Sequence, residues 1–187
     1  MMHRHPRSAM VANALGFQCV WFSTVGGAAA GWVWLGPAVA LVFAAATLAL
    51  FGRSRADTGV LMLALPLGLL LDTAWVRLGL MHFVHPWPAA DWAPVWIMAL
   101  WLGFALTVNH SLAWLRAHWS LAVLFGALGG PLAYLGAERL FGAVAFPAPT
   151  WQVMLVLGVA WGAVLPALQA LGRLLERPAP ALAPRVG

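Results

Sequence analysis

The chain has 187 residues, of which 63% are hydrophobic and only 8% charged, with a formal net charge of +5. Water-soluble domains are typically about a quarter charged, and a chain of this length has too little polar surface to hide so much apolar side chain from water. The composition therefore excludes a soluble enzyme, and it points to an integral membrane protein built as one all-α helical bundle. The basic excess consists of arginines placed beside apolar runs, where they set membrane orientation rather than bind nucleic acid.

A membrane helix takes about 20 mainly apolar residues to cross a hydrocarbon layer of about 30 Å. In chain order, the stretches 10–30, 33–51, 60–80, 93–114, 120–140 and 152–172 meet that requirement, which predicts six transmembrane helices. The breaks between them are a tight turn ("AGWVW"), a polar loop ("GRSRADTG"), a proline- and tryptophan-rich loop ("HFVHPWPAADWAP"), a short basic link ("RAHW") and a proline-aromatic loop ("GAVAFPAPTW"). Residues 1–9 then form a cytoplasmic tail, 10–172 a single transmembrane domain, and 173–187, ending "RPAPALAPRVG", a disordered cytoplasmic tail.

If the helices alternate in direction, Arg4, Arg7, Arg53, Arg55, Arg116, Arg173, Arg177 and Arg185 fall on one side. The positive-inside rule assigns that side, and both termini, to the cytoplasm. Trp32, Trp34, Trp87, Trp92 and Trp151 gather on the other side, as interfacial aromatics do. The first stretch also looks like a signal peptide, with "HRHPR" before it and "GGAAAG" at its end. Asn13 and Gln18 argue against that reading, because they are poor choices for a disposable apolar segment.

Polar groups inside a membrane are costly and turn toward the bundle interior. At about 1.5 Å of rise per residue, Asp72 and Gln18 fall near the midplane and Tyr134 slightly outside it. Arg77, Glu138 and Arg139 fall about 10 Å to the outer side, and Asn13, Asn109, His110 and Gln169 about 10 Å to the inner side. An ion pair between Arg77 and Glu138 is expected from their common depth. Asp72 and Arg77 are five residues apart, about 140° around a helix, so Asp72 is expected to meet Gln18, Tyr134 or a hydroxyl of another helix instead. The plain role for Asn13, Gln18 and Gln169 is interhelical hydrogen bonding. Pro66, Pro131 and Pro166 each remove a helical amide donor and free a carbonyl.

Catalytic signatures such as a glycine-rich phosphate loop, G-x-S-x-G or H-E-x-x-H do not occur. His82 and His85 share a loop with Asp91, and His3 and His5 lie in the tail. Neither pair has a recognised ligand spacing, so no metal and no cofactor is expected. Cys19 is the single cysteine and lies in an apolar run.

The segments "NALGFQCVWF", "LLLDT", "APVWIMALW", "TVNHSLAWL" and "GALGGPLAYLGAE" carry a family likeness in order and spacing. On them the chain resembles the bacterial inner-membrane proteins catalogued as domain of unknown function 2878, from about residue 11 to residue 172. The resemblance implies a multi-pass protein of the bacterial inner membrane with no assigned activity and no catalytic residue to carry over. It also implies a link to lipid metabolism, since relatives are encoded near lipid-modifying enzymes such as cyclopropane-type fatty-acid methyltransferases.

The expected function is therefore a lipid-handling or accessory protein with membrane lipids, and an enzyme of lipid metabolism, as partners. Its polar-lined intramembrane site would use Gln18, Asp72, Arg77, Asn109, His110, Tyr134 and Glu138. The alternatives are a small proton-coupled transporter with Asp72 and His110 in the relay, or an intramembrane lipid-modifying enzyme with one of the two as acid–base catalyst.

Overall fold

In the computed structural model, which describes residues 7–176, the chain is an all-α bundle. The helices are α1 (Arg7–Ala29), α2 (Leu35–Phe51), α3 (Arg55–Arg77), α4 (Val95–Val108), α5 (Trp119–Phe141) and α6 (Thr150–Glu176). A 3-10 helix (Ala113–Ala117) leads into α5. Two short strands, β1 (His82–Phe83) and β2 (Val144–Ala145), pair antiparallel, with His82 opposite Ala145 and Phe83 opposite Val144. They tie the α3–α4 loop to the α5–α6 loop at one end of the bundle. Of the helices, α1, α3, α5 and α6 are long and apolar enough to cross a membrane, whereas α2 and α4 are shorter apolar helices of 17 and 14 residues.

Local chemistry sets the boundaries. Ser54 caps α3, its hydroxyl accepting from the amides of Ala56 and Asp57 at 3.1 and 3.3 Å. At the end of α5, Gly142 adopts the left-handed conformation and its N–H returns to Glu138 O, while Ala143 N–H reaches Ala137 O. Both devices close a helix without leaving its terminal backbone groups bare. The helices containing Pro66, Pro131 and Pro166 run on through those residues.

The fourth expected span, 93–114, is corrected by the structure. α4 stops at Val108, and residues 109–112 form turns before the 3-10 helix. At about 1.5 Å per residue, α4 is only about 21 Å long. Backbone that leaves a helix inside an apolar bundle must find other partners, because each bare group costs a full desolvation penalty. Side chains from distant helices supply them. Asn13 of α1 donates from Nδ2 to Leu106 O at 3.2 Å and accepts the Ser111 N–H on Oδ1 at 3.3 Å. Gln169 of α6 donates from Nε2 to Leu112 O at 3.0 Å. Two of the amides read as interhelical glue thus have a definite task, the support of a broken helix.

α4 lies among α1, α2 and α3, with Trp96 and Trp101 fully buried on it. The arginine-bearing loops gather at one end of the bundle, where Arg116 of the α4–α5 link pairs with Glu176 of α6 at 2.8 Å and Arg173 donates to Arg116 O at 2.7 Å. At the other end Trp34 packs against Trp87, ring centroids 5.1 Å apart. α6 continues to Glu176, four residues beyond the expected limit, and the rest of the proposed tail, with residues 1–6, lies outside the described residues.

Candidate functional site

The polar residues singled out by depth separate into two buried clusters and an outer rim. The first cluster centres on Asp72. Its Oδ1 accepts the Tyr134 hydroxyl at 2.5 Å, and its Oδ2 accepts the Trp101 indole N–H at 2.7 Å. Asp72 is fully buried. Gly68 makes the approach of Trp101 possible: it sits one helical turn before Asp72 on the same face of α3, and a Cβ there would enter the Trp101 ring. The Tyr134 ring stands edge-on to Trp75 at 5.9 Å. A carboxylate held by two aromatic donors is a fixed acceptor, and it locks one side chain from α4 and one from α5 against α3. Tyr134 was among the partners expected for Asp72; Trp101 was not.

The second cluster lies at the arginine-bearing end. Asp57, in the first turn of α3, accepts from Asn109 Nδ2 on Oδ1 at 2.8 Å, and its Oδ2 lies 3.1 Å from His110 Nε2. A carboxylate can only accept, so Nε2 carries the proton in this contact. Phe51 stacks on the imidazole at 4.0 Å. Asn109 Oδ1 in turn accepts from Arg116 Nη2. His110 therefore serves Asp57, and the acid–base couple of His110 with Asp72 is not formed: the two residues have different partners in different clusters. Asp57 was absent from the expected set. The signal for it was the S-x-x-D pattern of Ser54 to Asp57, a helix-start signature that pulls the helix five residues before the apolar run begins.

The outer rim overturns one expected pair. Arg77 does not meet Glu138. Its Nη2 binds Asp91 Oδ2 at 2.9 Å and its guanidinium lies 5.6 Å from the Trp92 ring centre, both in the loop that follows its own helix. Glu138 instead pairs with its neighbour Arg139 at 3.0 Å. Equal depth puts two residues at one level but leaves their angle around the helix open, and the loop after α3 brings Asp91 back to the end of that helix, where the exposed Arg77 lies. Arg77 and Glu138 thus belong to neither buried cluster. Gln18 is exposed and takes no part in the Asp72 contacts.

Gln18 lies instead on a groove of about 610 Å³ between α1 and α5. Phe17, Trp21 and Phe22 line one side and Phe125, Gly129 and Leu132 the other, with Trp101, Phe104 and Trp161 as the floor. Trp101 and Trp161 stack at 4.7 Å, and Phe104 meets Trp161 edge-on at 5.0 Å. The Trp161 indole N–H is buried with no acceptor among the described residues. Tyr134 lines the same groove, so the Asp72 cluster stands directly behind its wall and holds two of its aromatic rings in place. The lining contains amide and hydroxyl groups at Gln18, Thr107 and Ser111 but no charged side chain.

A family model described as "Protein of unknown function (DUF2878)" matches residues 10–167 of the chain. No curated protein and no solved structure matches it.

Proposed function

Because the chain belongs to the DUF2878 family, whose description assigns no activity, we propose a function from the groove itself: a multi-pass protein of the bacterial inner membrane that binds lipid within the bilayer. In this reading the chain crosses the bilayer six times, the fourth crossing made by α4 together with the turns and 3-10 helix that follow it, both termini face the cytoplasm, and an enzyme of lipid metabolism is the partner to or from which the lipid passes. The observation that carries the reading is the aromatic groove between α1 and α5, whose wall residues Trp101 and Tyr134 are fixed from behind by Asp72. Its volume falls within the range of about 300–1,000 Å³ of ligand sites. Its sides include Phe22, Phe125 and Leu132, which are exposed on the bundle surface, so the groove opens sideways to the surrounding acyl chains rather than to water.

The polar clusters suit this role better than a proton relay. Both oxygens of Asp72 are engaged by donors that fix it, and His110 is committed to Asp57. Their contacts hold helices in place around a cavity, whereas a relay needs the two groups in a common path.

Native mass spectrometry of the full chain purified in mild detergent tests the reading. The wild type retains co-purifying lipid. Gly129→Trp loses it, because Gly129 faces the groove with only the Phe125 ring near a Cβ, at 3.9 Å, so a large side chain fills the ligand space without displacing a helix. Equal lipid retention by the two proteins, or none by the wild type, would contradict it.

A further inference from the structure

The groove is not symmetric along its length. α1 and α5 meet near their C-terminal ends, where Phe141 packs on Trp21 and Phe22 with ring centroids 5.8 and 6.2 Å away, and a Cβ on Gly136 would touch the Trp21 ring at 3.6 Å. Toward their N-terminal halves, at Ala14 and Phe125, the groove lies between them. It is therefore shut by aromatic rings at the end away from the arginine-bearing loops, the end at which Arg139 is paired with Glu138. Thr107, Ser111 and Trp114 line its other end.

The N-terminal extension of both groove helices continues the same stripe. Arg7 is seven residues before Ala14, two turns less about 20°, and about 10 Å further along α1. Trp119 stands in the same relation to Gly126 on α5. Arg7 is exposed, and among the described residues no acid pairs with it. The other arginines near the bundle ends are committed: Arg77 to Asp91, Arg116 to Glu176, Arg139 to Glu138, and Arg173 to a backbone carbonyl. Arg53 lies in the link between α2 and α3 and Arg55 is the first residue of α3, and neither of those helices lines the groove.

We propose that the groove takes one acyl chain of an anionic phospholipid, its tail pointing toward Phe141 and its phosphate headgroup held at the open end by Arg7. This deepens the lipid-binding reading above and rests on it. The geometry sets the direction, since a chain lying in the sideways-open groove meets packed rings at the Phe141 end and has room for a headgroup only at the other. The uncharged lining requires the headgroup to stay outside, at the rim. The guanidinium, which has no acid partner among the described residues, selects a net negative headgroup, because in a zwitterionic one the ammonium offsets the charge of the phosphate.

The test uses the full chain in vesicles of phosphatidylcholine or of phosphatidylglycerol, each carrying a trace of the same lipid with a photoreactive group in one acyl chain. Cross-links are mapped by mass spectrometry. Phosphatidylglycerol is expected to label groove residues such as Ala14, Phe125 and Gly129 about five-fold more than phosphatidylcholine, the ratio corresponding to about 1 kcal/mol for one arginine at an anionic headgroup. Arg7→Gln removes that preference, bringing the phosphatidylglycerol to phosphatidylcholine labelling ratio to about one, while Arg7→Lys keeps most of it. Equal labelling by both lipids in the wild type, or a preference that survives Arg7→Gln, overturns the proposal while leaving lipid binding standing. Absence of groove labelling by either lipid overturns both.

Discussion

Asp72→Ala is expected to lower the thermal unfolding midpoint of the detergent-solubilised protein more than any other single change to a polar side chain. The substitution removes the shared acceptor of two buried donors, the Tyr134 hydroxyl and the Trp101 indole N–H. Two average interhelical hydrogen bonds in a membrane protein are worth roughly 1 kcal/mol together. Two donors left wholly unpaired cost roughly 2–6 kcal/mol. The larger figure is the closer guide, because both donors are attached to rings packed into the bundle and cannot swing to new acceptors. Asp72→Asn separates geometry from charge. Its Oδ1 takes the Trp101 bond, and its Nδ2–H donates to the Tyr134 oxygen once that hydroxyl turns away. Asp72→Asn is therefore expected to retain most of the stability and the lipid. An asparagine variant as unstable as the alanine variant would show that the charge, not the acceptor geometry, holds the wall together.

The second large effect is expected at Gly126, and it contrasts with its near neighbour Gly129. A Cβ on Gly126 would fall on the backbone carbonyl of Trp161 in α6, whereas one on Gly129 meets nothing closer than the Phe125 ring. Backbone cannot move aside as a side chain can, so Gly126→Ala must push α5 away from α6 along their close contact. Overpacking of this kind costs about 1–3 kcal/mol, and it also displaces Trp161, which stacks on Trp101 in the groove floor. Gly126→Ala is therefore expected to lower both the unfolding midpoint and lipid retention. Gly129→Ala is expected to change neither. Equal midpoints for the two variants would contradict the closeness of α5 and α6 at this point.

Much of the architecture was legible in the sequence because it follows from solvent. Apolar runs of about 20 residues, with arginines on one side and tryptophans on the other, locate the helices to within a few residues. Exceptions have local causes. The polar stretch Thr107–Ser111 ends α4, but Leu112, Trp114 and Leu115 follow it, so hydropathy runs on where the helix does not. Asp57 was hidden because the apolar run begins after it, although the Ser54 cap draws the helix back to Arg55.

The site was legible only in part. Depth along a helix placed Asp72 near Tyr134 and gathered Asn13, Asn109, His110 and Gln169 at one level, since rise per residue is nearly constant. Depth gives no angle, so it joined Arg77 to Glu138 when Asp91 was in reach, and it put Gln18 with Asp72 when Gln18 faces the groove. Trp101 and Trp161 carry no local signal, because a tryptophan in an apolar helix looks the same whether it packs in a core or lines a cavity. The groove itself depends on where α1 and α5 touch, which Trp21, Phe22, Gly136 and Phe141 decide across more than 100 residues of chain.

A density map of the full chain in a lipid nanodisc tests the central claim most directly. The account predicts an elongated lipid feature between Ala14–Gln18 of α1 and Phe125–Gly129 of α5, lying against Trp101, Phe104 and Trp161, with Asp72 bonded to Tyr134 and Trp101 behind it. A map in which α1 and α5 close on each other along their whole length, leaving no lipid between them, would contradict it.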